Sequence, residues 1–99
     1  SRAESAYCQA RAGYNRLVRR PRLRTDRGAW IHLINRLRKV YLAYPNDKEV
    51  TPKAIFMMGR CYRELYGYSG ARKDINNAIG RYRVLVERFP KSHLADDAL

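Results

Sequence analysis

The sequence predicts an all-α fold, a short solenoid of helical hairpins, on three observations. Apolar residues recur at three- and four-residue spacing in long segments. No stretch shows the alternation of a half-buried strand, and the pattern of one helix returns 45 residues later.

Residues 3–18 set Ala6, Tyr7, Ala10, Tyr14, Leu17 and Val18 on one helical face. Gly13 weakens this helix by about 1 kcal/mol of propensity relative to alanine. The next segment, WIHLINRLRKVYLAYP, carries Trp30, Ile31, Leu33, Ile34, Leu37, Val40, Tyr41 and Tyr44, with Thr25 or Asp26 as cap and Pro45 as stop. In the third, Thr51 caps and Pro52 takes the first helical position; Ile55, Met58, Gly59, Tyr62 and Leu65 form the inner stripe, and Gly67 closes it. Asp74 caps the fourth, whose buried face is Ile75, Ala78, Ile79, Tyr82, Leu85, Val86 and Phe89, and Pro90 ends it. Beyond it, Ser92 caps a further start with Asp96 in its first turn, and Ala95, Ala98 and Leu99 are spaced to face a partner.

The 45-residue shift superposes Ile34 on Ile79, Leu37 on Tyr82, Arg38 on Arg83, Val40 on Leu85, Tyr41 on Val86, Tyr44 on Phe89 and Pro45 on Pro90. Residues 3–45 therefore read as one repeat, 52–90 as a second and 92–99 as the start of a third, all within one domain spanning 1–99. Each unit of such a solenoid buries its face only against its neighbours.

The chain of 99 residues carries a formal charge of +12, from 21 Lys plus Arg against 9 Asp plus Glu. Residues 1–45 hold eleven basic groups against Glu4 and Asp26, so the excess is concentrated in the first half. Such a half attracts polyanions: nucleic acid, anionic lipid, acidic glycan or an acidic protein face. With 45% hydrophobic residues the chain carries enough apolar material to fold. No apolar run reaches the roughly 18 residues of a membrane span. Cys8 and Cys61 have no metal-ligand spacing and read as two buried, small hydrophobes.

Residues 54–90 resemble the tetratricopeptide family. The matching positions are Ile55, Met58, Gly59 and Tyr62 on the first helix, Ala78, Tyr82 and Leu85 on the second, and Pro90 at its end. The implied fold is a tetratricopeptide-like helical-hairpin solenoid of about two repeats plus the start of a third. The first copy departs from the pattern, with Tyr7, Ala10, Arg11 and Tyr14 on its first helix and Leu33 where a small residue belongs. The turn GYSGARKDIN is longer than the family's by about seven residues, and RRPRLRTDRG is longer still. Within the family, AIGRYRVLVERFPKSHLADDAL is similar to repeats of bacterial envelope proteins, most of all to the amino-terminal extensions of N-acetylmuramoyl-L-alanine amidases. That resemblance implies a periplasmic accessory domain acting in peptidoglycan turnover, ahead of a zinc hydrolase domain that these 99 residues do not contain.

The residues themselves offer no catalytic set. His32 and His93 lack paired ligand spacing, so no zinc site and no other cofactor is expected here; zinc belongs to the downstream domain that the resemblance implies. Ser92 beside His93 reads as a helix cap, and Asp96 and Asp97 point about 100° apart on a helix. GYSG and GYNR lack the lysine and strand-to-helix context of a phosphate loop and read as turns.

Two binding surfaces stand out. Within RLVRRPRLRTDRG, Arg19, Arg20, Arg22, Arg24 and Arg27 form a multivalent anion hook, each guanidinium able to grip a carboxylate or phosphate with two donors. The plain alternative is a mobile, solvated charged loop. Opposite the inner stripe of the third helix, Lys53, Met57, Arg60 and Glu64 would face a partner peptide on the concave side. Their plain alternative is an exposed face with an Arg60 to Glu64 pair worth about 0.3 kcal/mol. The resulting expectation is a non-catalytic interaction scaffold whose partner is an envelope protein or an anionic cell-wall polymer. A basic nucleic-acid-binding helical domain is the alternative, carried by charge alone.

Overall fold

A computed structural model describes residues 1–98, which form six helices: α1 (Arg2–Arg19), α2 (Pro21–Arg24), α3 (Arg27–Ala43), α4 (Val50–Ser69), α5 (Arg72–Arg88) and α6 (His93–Ala98). No strand occurs among them. Helices α1 and α3 pair as one hairpin with α2 in its turn, and α4 and α5 pair as the next. Helix α6 packs on α4 and α5, beginning a further hairpin. Leu99, expected to face a partner, lies outside the described residues.

The 45-residue equivalence is visible in the backbone. Tyr44 caps α3 and Phe89 caps α5 with the same dihedral angles, φ −131° and ψ 58°. Their N–H groups donate to Val40 and Leu85 oxygens, at 3.0 and 2.8 Å. In both copies the next residue is proline, which lacks the N–H needed to extend the helix.

Helix α4 occupies the centre, touching α1, α3, α5 and α6. Its predicted stripe of Ile55, Met58, Gly59, Tyr62 and Leu65 is buried, and so are Val50, Ala54, Met57 and Cys61. A helix with neighbours on several sides needs more than one apolar stripe. Fully burying each Ile, Leu or Met is worth about 1.5–3 kcal/mol. The closest approach in this hairpin is at Gly59, where a Cβ would lie 2.5 Å from the Tyr82 ring. In the first hairpin a glycine on the corresponding first helix lies close to its partner too: a Cβ on Gly13 would meet Leu33 Cδ1 at 3.3 Å. Leu33 therefore fits where the second copy has Ala78.

Several local expectations are corrected. Helix α4 starts at Val50, and Asp47 rather than Thr51 holds its first turn, accepting from the N–H groups of Glu49 and Val50 at 3.0 and 2.9 Å. Thr51 is fully buried, its hydroxyl donating to the Tyr44 carbonyl. Gly67 lies inside α4, which runs to Ser69 and closes at Gly70, the one positive-φ glycine among the described residues, at φ 63°. The residues expected as a long turn are thus absorbed as helix, and GYNR is likewise inside α1. On α5, Ile79 is 41% exposed rather than buried. Its counterpart Ile34, on a helix flanked by α1 and α4, is 1% exposed, whereas α5 packs chiefly against α4 and the six-residue α6.

Candidate functional site

The basic segment is structured. Helix α1 ends at Arg19, Pro21 takes the first position of α2, and Leu23 packs against the core. Trp30, buried completely and set edge-on to Tyr14, donates its indole N–H to the Arg24 carbonyl at 2.9 Å. The expected loop is therefore a short helix pinned by one leucine and one tryptophan. Arg19, Arg20, Arg22 and Arg24 are exposed upon it.

Arg27 is separated from this group by its partner. Its guanidinium grips Asp74 with two bonds, Nη1 to Oδ2 at 2.9 Å and Nη2 to Oδ1 at 2.6 Å. Asp74 is fully buried and also accepts from the Ser69 hydroxyl at 2.7 Å. It is not the cap of α5, which starts two residues earlier, at Arg72. The Arg27 bonds hold its carboxyl below the usual carboxylate range, the Ser69 hydroxyl adding to them against the opposing effect of burial. Arg27 therefore ties the start of α3 to the start of α5, and the hook reduces to four arginines.

The second predicted surface is partly covered by the other hairpin. Met57 is 7% exposed, part of the core beside α1, and its side chain is not presented to solvent. Arg60 and Glu64 do not pair with each other within 4 Å; both engage Tyr14 instead. The Arg60 guanidinium sits 5.2 Å from the Tyr14 ring centre, and the Tyr14 hydroxyl donates to Glu64 Oε1 at 3.4 Å. Burial raises the Tyr14 pKa, with Arg60 opposing and Glu64 adding to the rise. Lys53 is half-buried. What this face exposes is thus Arg60, with Arg63 exposed one position round the helix from Tyr62, and the edge of Lys53.

One arginine with no role assigned from sequence joins the two hairpins at their loops. Arg88 donates to the Tyr41 hydroxyl at 2.6 Å and to the Pro45 carbonyl at 3.1 Å, and its charge lies over the Tyr41 and Phe89 rings at 5.2 and 5.5 Å. The available signal was its place: it precedes Phe89-Pro90, whereas Ala43 stands at the equivalent point before Tyr44-Pro45.

Residues 53–92 match the family model of the tetratricopeptide repeat. No curated protein and no solved structure matches the chain. Together with the helical hairpins, the match makes the fold a tetratricopeptide-like solenoid. Among the described residues, no helix is long and apolar enough to cross a membrane, and no three His, Cys, Asp or Glu side chains converge as metal ligands.

Proposed function

We propose that the chain is a protein-interaction scaffold, the accessory region of a periplasmic N-acetylmuramoyl-L-alanine amidase that holds the enzyme near an envelope protein or anionic wall polymer. The scaffold reading rests on the tetratricopeptide repeat at residues 53–92, since stacked hairpins of this kind offer extended binding surfaces. The envelope assignment is supported by the resemblance of FPKSHLADDAL to periplasmic repeats. The carrying observation for an acidic partner is the exposure of Arg19, Arg20, Arg22 and Arg24 on an ordered α1–α2 corner, where side chains are displayed at fixed spacing.

Immobilised chain should retain a partner from periplasmic extract or isolated peptidoglycan, and salt should weaken the retention because exposed charges are screened over about 8 Å at physiological ionic strength. Changing all four arginines to alanine should abolish it. Equal retention by that variant would remove the hook, and no retention by the unmodified chain from either source would remove the envelope reading.

A further inference from the structure

Where the two proline loops lie side by side, the loop between α3 and α4 and the loop between α5 and α6 enclose an open cleft of about 810 Å³. That is within the roughly 300–1,000 Å³ of ligand pockets. We propose that this cleft binds an acidic peptide segment of a partner protein, its carboxylates held by Lys48, Lys53 and Lys91 and an apolar side chain seated on Phe89, Pro90 and Leu94.

The chemistry of the walls selects this ligand. All three lysines line the cleft, and Glu49 is the carboxylate among its described lining residues. Arg88 lines it too, and its hydrogen bonds go to neutral oxygens, the Tyr41 hydroxyl and the Pro45 carbonyl. Neither neutralises its charge, so a positive potential is left inside a concave, partly apolar space that focuses it. Those same bonds hold the two loops together, which makes Arg88 a positioning residue and the cleft a feature of the folded pair rather than of either loop. Nucleic-acid grooves track phosphates with a continuous run of cations. Here Lys48, Lys53, Arg88 and Lys91 share the lining with Pro45, Phe89, Pro90 and Leu94, which suits a peptide that carries both acidic and apolar side chains. The proposal rests on the scaffold reading but uses a surface separate from the arginine corner.

The test is fluorescence anisotropy with a fluorescein-labelled peptide of alternating glutamate and leucine. The expected result is saturable binding that weakens with salt and is stronger than for an all-glutamate peptide. A Lys48→Glu, Lys91→Glu variant, both positions being exposed, should bind about tenfold or more weakly, because attraction becomes repulsion. The variant lacking Arg19, Arg20, Arg22 and Arg24 should bind as the unmodified chain does. Unchanged affinity in the lysine variant, or no peptide binding by the unmodified chain, would overturn the cleft proposal while leaving the retention experiment to judge the scaffold. Displacement of the peptide by oligothymidylate with the same lysine dependence would overturn it in favour of nucleic acid.

Discussion

Replacing Gly59 with alanine probes the crossing of α4 and α5. The new Cβ would lie 2.5, 2.8 and 2.9 Å from Cε1, Cζ and Cδ1 of Tyr82, all inside contact distance. The ring has little freedom to retreat, being packed at 5.6 Å against Phe56. Overpacking of this kind costs about 1–3 kcal/mol, and three ring atoms in conflict place it near the upper end. Alanine in place of glycine within a helix returns about 1 kcal/mol. The net loss is about 1–2 kcal/mol, a fall in Tm of roughly 5–15 °C for a domain of this size. Gly80 is the control. It is also helical, and a Cβ there meets nothing within 4 Å, so Gly80→Ala should raise stability by about 0.5–1 kcal/mol. Urea and thermal unfolding followed by circular dichroism would measure both, with the urea midpoint moving and its slope constant. In a Tyr82→Ala background the Gly59→Ala penalty should vanish, since the two residues couple directly. Should Gly59→Ala stabilise the chain as Gly80→Ala does, the close crossing does not exist.

Asp74 gives the chain an acid-side dependence. Its folded pKa lies below the unfolded value, so the stability it contributes is present above the unfolded pKa, near 3.9, and is lost as pH falls through the folded one. Asp74→Asn should therefore be less stable at neutral pH and show a flatter urea midpoint below about pH 4; an unchanged profile would contradict the Arg27 pairing. The thiols should also separate. Cys61 is fully buried as expected, and burial pushes its thiol up, whereas Cys8, expected to be buried too, is exposed, so a disulfide reagent should modify Cys8 in the native chain and Cys61 only on unfolding. Two rapid equivalents would contradict the packing of α4.

Legibility in the sequence followed the range of the forces. Periodic apolar residues and proline stops are local signals, and they gave the four long helices and the equivalence of Tyr44 with Phe89. Asp26 was readable for the same reason: its carboxylate accepts from Ala29 N–H, three residues away. What could not be read depends on partners distant in the chain. The Arg27 to Asp74 bond joins residues 47 apart, and it removes one arginine from the hook and one aspartate from the caps. Met57 is covered because helices of the other hairpin pack beside α4 in a shared core, and no feature of α4 alone says so. Glycine marks a stop without fixing which glycine stops; Gly67 and Gly70 differ in that only Gly70 adopts the left-handed conformation. The loop cleft needed both hairpins in place, since its walls come from residues about 45 apart and its brace is Arg88 reaching back to Pro45.

The central claim is that the two hairpins stack side by side, with α1 beside α4 and the two proline loops adjacent. Nuclear Overhauser spectroscopy reads this directly. Cross-peaks are predicted between the Tyr14 ring and the Arg60 side chain, and between the Tyr41 ring and the Arg88 side chain. A spectrum that contains the contacts within each hairpin but neither of these would contradict the stacking and, with it, both binding surfaces.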